Sequence, residues 1–342
     1  MNKISWQSPS NIALVKYWGK HGLQLPSNPS LSFTLQACHT RSELEWENGT
    51  GRVELLFEGL QNEKFRLRVN NFIENIRPHF PFLEELDIFF NTTNSFPHSA
   101  GIASSASAMS SLALCLCSLE EAVVNRKLPE AEFFRKASCI ARLGSGSAAR
   151  SVYGGWVLWG SAESVAESSD EYAIPLPMAV HECFSRMCDT ILIVDESPKA
   201  VSSSEGHRLM QSHPFASRRF DQAHEHIDLV LKALAVGDED SLALITENEA
   251  LGLHGLMMTA NPGYILLKPG TLQIIDKIRR FRAASGMPAF FTLDAGPNVH
   301  LIYPERIAEA VQAFIQDELL LYCSRKQRID DRIGQDPHKT GY

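Results

Sequence analysis

Residues 96–107 read Phe96-Pro97-His98-Ser99-Ala100-Gly101-Ile102-Ala103-Ser104-Ser105-Ala106-Ser107 and run directly into the helix-forming stretch 106–124. Small residues let a backbone approach an anion closely, and the N-terminus of the helix that follows favours negative charge. The adjacent hydroxyls of Ser104 and Ser105 suit a phosphate or a metal ion. The spacing is neither that of a P-loop nor GxGxxG, so a P-loop NTPase or a dinucleotide-binding fold is not supported. A serine-rich N-cap before a buried helix accounts for the same residues, and the segment alone leaves both readings open.

On the N-terminal side, short β-type segments at 30–35, 42–46 and 53–57 alternate with turn-rich stretches at 22–29 and at Asn48-Gly49. Val69, Phe72, Ile73 and Ile76 recur at helical spacing within 65–77, Pro78 stops that helix, and 86–90 reads as a strand. This half predicts a mixed or antiparallel sheet. On the C-terminal side a second helix (129–142) ends at Gly144-Ser145-Gly146-Ser147, and a strand follows at 155–158. The pattern restarts at 189–195, read as the opening strand of a second domain, with helices at 216–234, 240–251 and 270–284. Apolar runs at 289–293 and 299–303 flank the turn Asp294-Ala295-Gly296-Pro297-Asn298, and 307–316 closes as a helix. The expected fold is α+β, in two domains at 1–188 and 189–342, because 342 residues exceed the usual span of one core.

With 44% apolar and 21% charged residues the chain is of ordinary globular composition. A formal charge of -8 leaves no footprint for nucleic acid, so phosphorylated ligands must be held by local donors. The basic run 325–328, followed by Asp330 and Asp331, is expected to be a solvated terminal segment. Seven cysteines (Cys38, Cys115, Cys117, Cys139, Cys183, Cys188, Cys323), none in a CxxC pair, predict a reducing cytosol and no structural zinc. No charged-then-apolar leader opens the sequence, and the apolar stretches near 112–119 and 191–194 are expected to be too short to span a bilayer.

Three further constellations stand out. In Gly144-Ser145-Gly146-Ser147-Ala148-Ala149-Arg150-Ser151, two hydroxyls precede a guanidinium that can pair bidentately with a carboxylate; a flexible loop with a surface arginine is the plainer reading. In Pro9-Ser10-Asn11-Ile12-Ala13-Leu14-Val15-Lys16-Tyr17-Trp18-Gly19-Lys20, a lysine stands on an otherwise apolar strand, either snorkelling at its edge or buried for a purpose. In Phe291-Thr292-Leu293-Asp294-Ala295-Gly296-Pro297-Asn298, the acid can project into a cleft or serve the turn.

Taken jointly, these motifs closely resemble the diphosphomevalonate (mevalonate diphosphate) decarboxylases of the GHMP kinase superfamily. NIALVKYWGK with LPSNPSLS, FPHSAGIASSAS, GSGSAARSVYGGWV, KAVSSSEG and FTLDAGPN match that family in order and spacing over nearly the whole chain. The resemblance implies a two-domain GHMP fold with the active site between domains, ATP and Mg2+ as cofactors, a small-molecule substrate and a homodimer. It makes Asp294 the aspartate facing the C3 hydroxyl and Lys16 the lysine beside it. Arg150 becomes the holder of the substrate carboxylate, and Asn11 a neighbour of the reacting centre. Tyr17, Lys20, Ser145, Ser147 and Ser203 match positions around the substrate diphosphate. Ser99, Gly101, Ala103, Ser104 and Ser105 match the ATP-phosphate loop, with Ser105 beside magnesium, and Lys199 matches a lysine of the phosphate-side loop. Trp18 is expected mainly to pack.

The implied reaction turns a tertiary hydroxyl into phosphate, a better leaving group, whose departure draws off the adjacent carboxylate as carbon dioxide. Two departures bear on this. His98 stands where the family usually has Thr, and Ser204-Glu205-Gly206-His207 replaces a segment that often begins with Arg or Thr and ends with Met. The alternatives are a monophosphate substrate, a mevalonate-type 3-kinase that stops at phosphorylation, and a catalytically silent GHMP-fold binding protein.

Overall fold

The computed structural model describes residues 2–96, 104–197 and 201–340, and the backbone alone of Lys64. β1 (Asn2–Val15) leads through a short ribbon, β2 (Lys20–His21) and β3 (Leu25–Pro26), into the long strand β4 (Ser30–Asn48). β5 (Val53–Phe57), α1 (Glu63–Ile76) and β6 (Leu86–Asn94) precede two core helices, α2 (Ser104–Val124) and α3 (Glu130–Gly144). A 3-10 segment at Gly146–Val152 turns the chain into β7 (Trp156–Trp159), β8 (Ala173–Pro175) and β9 (Met187–Leu192). Then come α4 (Ser203–Leu209), α5 (Ala216–Val236), α6 (Glu239–Thr259) and α7 (Pro269–Ser285). β10 (Phe290–Leu293), β11 (Val299–Pro304), α8 (Ala308–Phe314), β12 (Arg328–Arg332) and β13 (His338–Lys339) complete the order.

The strands form two principal sheets. One runs β13-β1-β4-β6-β5, with β7 on the other arm of β4 and β8 beyond it; the second runs β10-β11-β9-β12. All pairings are antiparallel except β5 with β6, which gives the mixed sheet expected of the first half. The two strands read at 30–35 and 42–46 are arms of the single strand β4: one pairs with β7 and the other with β6. Between them the register with β1 slips, from Thr34 opposite Asn11 to His39 opposite Pro9, so three amides leave the ladder.

Those amides are satisfied from the far end of the chain. Asp331 on β12 accepts from Gln36 N at 2.8 Å, Ala37 N at 2.7 Å and Cys38 N at 2.8 Å, and its residue is 7% exposed. The expectation of a solvated tail is therefore wrong. Residues 328–332 pair with β9, Ile333 bridges to Leu35, and β13 returns to β1. Composition misled because an edge strand with one covered face carries few apolar residues, and the charges read as solvated include a buried acceptor.

One apolar cluster packs α1, α2 and α3 on the first sheet, through Phe72, Phe90, Leu112 and Ile140. A second joins Ile12, Leu14 and Phe33 of the first sheet to Ile191, Phe290 and Ile302 of the other, with Ile227 and Val230 of α5 alongside. The end of β1 thus lies at a seam filled by both halves. α2 is 21 residues long and apolar enough to cross a bilayer, longer than the run near 112–119 suggested, but 72% of its most apolar window is buried inside the protein. It is a core helix here.

A carboxylate serving three buried or half-buried amides cannot be removed without orphaning them. Asp331→Ala is expected to lower unfolding stability by about 2–4 kcal/mol, read as a shift of the urea midpoint at constant m-value. A midpoint within the error of the native protein would show that the register slip holds without it.

Candidate active site

Lys16 follows the last residue of β1 and points across the seam. The residue is 2% exposed, and its ammonium lies 2.9 Å from Oδ1 of Asp294, whose side chain is 27% exposed. Burial pulls the Lys16 pKa below the ordinary lysine value, while the charge of Asp294 and the hydrogen bond to it oppose the shift. Snorkelling is excluded: the second half of β1 is buried, and the partner of the ammonium among the described residues is the half-buried carboxylate.

Asp294 sits between β10 and β11 on a turn tied down along its length. Asn298 Oδ1 accepts from Val194 N at 2.8 Å and Asp195 N at 3.0 Å, and Thr271 donates to the carbonyl of Pro297 at 2.6 Å. His254 Nε2 lies 3.0 Å from the Asp294 carbonyl oxygen. The turn does more than reverse the chain; it fixes the acid against Lys16.

Arg150, on the 3-10 segment, is 2% exposed. Its Nε and one terminal nitrogen donate to Asn11 Oδ1 at 3.3 and 3.1 Å, and its other terminal nitrogen donates to Ser30 Oγ. Asn11 is oriented in turn by donating to Ser151 Oγ at 2.7 Å and to the Ser147 carbonyl at 3.2 Å. A guanidinium has five N–H groups; three are engaged by Asn11 and Ser30, leaving two among the described residues. Burial lowers the Arg150 pKa to about 10, so it remains a cation at neutral pH. A surface arginine on a flexible loop is not what the fold builds.

Hydroxyls line the same wall. Ser105, in the first turn of α2, has its Oγ 3.3 Å from that of Ser145, which is 3.5 Å from that of Ser147. Ser104 opens α2 beside them. Tyr17 packs its ring against Trp159, with centroids 4.7 Å apart, and its buried hydroxyl has no hydrogen-bond partner among the described residues. A Cβ on Gly146 would stand 2.7 Å from that oxygen, which explains glycine there. Lys20 donates to Gln24 at 2.9 Å, and burial, with the nearby charge of Arg68, lowers its pKa. Trp18 is 4% exposed and packs in a small cluster with Met210, Leu253 and Leu256, as expected.

His207, one of the departures, is held between the rings of Tyr17 and Trp18, 4.3 and 4.6 Å from their centroids. Its Nδ1 accepts from the N–H of Gly19 at 3.0 Å, so that nitrogen carries no proton. Burial, then the charge of Lys20, lowers its pKa to about 3, and the ring is neutral. Ser203 stands apart: it is exposed at the start of α4, where Ser202 caps the helix by accepting from Glu205 N. His98, Ser99, Gly101, Ala103 and Lys199 lie outside the described residues.

Four residues of this region were not found by sequence reasoning. Ser30 and Asn28 fall inside the LPSNPSLS motif, but nothing in it singled them out as partners of Arg150 and of the Lys16 carbonyl. Glu249 and Arg219, both buried, do carry a signal: each stands on the apolar stripe of its helix, Glu249 with Leu242, Thr246 and Leu253, Arg219 with Ala223, His226 and Val230. A charge at a core register asks for a partner.

A family model described as the diphosphomevalonate decarboxylase-like N-terminal domain matches residues 8–173, and one described as the mevalonate 5-diphosphate decarboxylase C-terminal domain matches 190–338. The diphosphomevalonate decarboxylase of Saccharomyces cerevisiae is 30% identical over 90% of this chain and 79% of its own length. That of Ganoderma lucidum is 29% identical over 96% of this chain and 84% of its own. Among solved structures, a complex of MDDEF with MVAPP, AMPPCP and magnesium superposes with a TM-score of 0.85 at 29% identity, covering all of both chains. The mevalonate diphosphate decarboxylase of Staphylococcus aureus gives 0.85 at 25% identity, covering 99% of this chain and 98% of its own.

A buried ammonium is a liability for folding unless chemistry requires it. Lys16→Met is therefore expected to leave unfolding stability unchanged or raise it by up to about 2 kcal/mol, since Asp294 keeps access to water. The sign with pH follows from the lowered pKa: the native state disfavours the charged form below the folded pKa, and the penalty fades as pH rises toward the unfolded value. Any advantage of Lys16→Met should thus be largest below the folded pKa of Lys16 and shrink as pH rises through it toward the unfolded value. Denaturant titrations at several pH values test this, and a marked loss of stability at neutral pH would make the ion pair structural.

Proposed function

Because the chain belongs to the diphosphomevalonate decarboxylase family, we propose that it converts (R)-5-diphosphomevalonate and ATP into isopentenyl diphosphate, ADP, phosphate and carbon dioxide. The observation that carries this reading is the Lys16–Asp294 pair at 2.9 Å beside the buried cation Arg150. Carboxylate, ammonium and guanidinium belong to three distant parts of the sequence and meet in one electrostatic field, since Asp294 acts on the pKa of both cations.

In this reading Asp294, kept ionised by Lys16, takes the proton of the C3 hydroxyl as the γ-phosphoryl group bonds to that oxygen and ADP leaves. The C3–O bond then breaks, with its electron pair going to phosphate. The bond to the carboxylate carbon breaks in turn, and its pair forms the new double bond as carbon dioxide departs. Arg150, with two N–H groups left after Asn11 and Ser30 are served, holds the substrate carboxylate bidentately. Asn11 fixes that guanidinium.

The phosphate groups fall to Tyr17, Lys20, Ser145, Ser147, Ser203 and Lys199 on the substrate side. Ser99, Gly101, Ala103, Ser104 and Ser105 serve ATP, and Ser105 serves Mg2+. What supports this is the row of serine hydroxyls at the N-terminus of α2 and the unpartnered hydroxyl of Tyr17. Magnesium there would offset charge on the transferring phosphoryl group. The donor missing at Ser204 is made good by Lys20 with Arg68, two cations close enough to repel each other, which an anion between them would relieve. The proposal includes the domain division at 188/189, a cytosolic location, supported by seven unpaired thiols, and a homodimer, supported by the family resemblance alone.

Asp294→Asn keeps the shape and removes the charge, and should cut turnover at least ~100-fold; near-native turnover would refute the assigned role. With diphosphomevalonate the native protein should release carbon dioxide, ADP and phosphate in equal amounts, whereas a stable 3-phosphorylated acid without carbon dioxide would make it a kinase.

Lys20→Ala should raise the KM for diphosphomevalonate ~10-fold or more with a smaller effect on kcat, because the terminal phosphate is remote from the bonds that break. Steady-state comparison of diphosphate and monophosphate substrates checks this. Equal efficiencies on the native protein would overturn the diphosphate assignment alone.

A further inference from the structure

β1 ends at Val15, the last residue paired with β4, so the N–H and carbonyl of Lys16 leave the sheet ladder while still buried. Buried backbone groups need partners, and side chains supply them. The Lys16 N–H donates to Oε2 of Glu249 at 2.7 Å. Its carbonyl accepts from a terminal nitrogen of Arg219 at 3.1 Å and from Asn28 Nδ2 at 2.9 Å. Arg219 closes the ring by donating to both Glu249 oxygens, at 2.8 and 2.5 Å, and His226 Nδ1 lies 2.5 Å from Oε1.

This ring is shut off from water: Glu249 is 1% exposed and Arg219 5%. Burial alone would raise the pKa of Glu249, but the charge of Arg219 and the hydrogen bonds from His226, Arg219 and the Lys16 peptide outweigh it and hold the carboxyl below its usual range. If the ring served only to pack α5 and α6 against β1, apolar residues would do as well, since a buried ion pair seldom stabilises more than its apolar replacement. Its geometry is directed elsewhere. Both ends of the ion pair grip the peptide groups of the one residue whose ammonium meets Asp294. A lysine stem has four rotatable bonds, and the aim of its ammonium depends on how firmly the backbone beneath it is held.

We propose that Glu249 and Arg219 are positioning residues that act through the Lys16 peptide, setting the direction in which its ammonium approaches Asp294. The proposal rests on the reading of Lys16 and Asp294 as the reacting pair. It separates from that reading in a double-mutant cycle on Glu249→Gln, Lys16→Met and the double variant, with kcat followed by single-turnover release of labelled carbon dioxide.

Glu249→Gln should lower kcat ~10- to 100-fold and leave KM within about 3-fold, because an oriented group is misplaced and binding is not lost. In the Lys16→Met background the same substitution should have almost no further effect, since the group it positions is gone. Arg219→Lys, which keeps the charge beside Glu249 and loses the donor to the Lys16 carbonyl, should give a milder loss of the same kind. A folded Glu249→Gln with native kcat would overturn the proposal, as would a full multiplicative loss on top of Lys16→Met. Failure of both Glu249→Gln and Arg219→Lys to fold would make the ring structural and overturn it too. Native kcat in Lys16→Met alone would instead refute the reading of the reacting pair.

Discussion

The ammonium of Lys16, 2% exposed and 2.9 Å from Asp294, is a charge held where water cannot reach it, and the surrounding structure is arranged to keep it there. A lone ammonium in such a place would lose its proton or drag the chain toward solvent. Asp294 opposes the first, and the walls of the seam oppose the second. The acid keeps partial access to solvent, so the pair is open on one side while the ammonium itself is shielded. In such a setting charge is worth more than it is at the surface.

The seam exists because neither sheet is complete alone. The slip in β4 leaves amides that only β12 can serve, β13 returns to the edge of β1, and one apolar cluster takes residues from both sheets and from α5. Lys16, at the end of β1, and Asp294, at the end of β10, come from opposite sides of this junction. Holding them in contact needs both halves in register, so the same interactions that close the fold also aim the site.

At the phosphate end the electrostatics run the other way. The Tyr17 hydroxyl, without a partner among the described residues, lies in the field of Arg150 and Arg142, and Lys20 feels the charge of Arg68, while His207, neutral and stacked between Tyr17 and Trp18, adds no charge of its own. The overall charge of -8 offers phosphates no attraction, so in the proposed reading recognition rests on this local arrangement. The imidazole at His207, where the family resemblance implies Met, fits because its Nδ1 accepts the Gly19 N–H and its faces pack on two rings.

Of the long helices, α2, α3 and α5 were legible within a few residues because apolar spacing depends only on local sequence, whereas α6 runs on to Thr259, past the 251 at which the spacing ended it. The motifs around Asn11, Lys16, Arg150 and Asp294 were legible as a set, since their order along the chain is itself the signal of the family. Other features were decided in three dimensions. Taken singly, Lys16 could equally snorkel and Asp294 equally serve its turn, because each needs the other, 278 residues away, to become an ion pair. Asp331 read as solvated because its acceptor role depends on a register slip nearly 300 residues distant, between Thr34 and His39. Glu249 and Arg219 showed only as charges out of place on apolar helix faces, and what they hold became visible once β1 was seen to stop at Val15. Sequence fixes which groups are available through local propensity and pattern; hydrogen bonds and ion pairs act over a few ångströms, and only the folded chain brings those groups within that range.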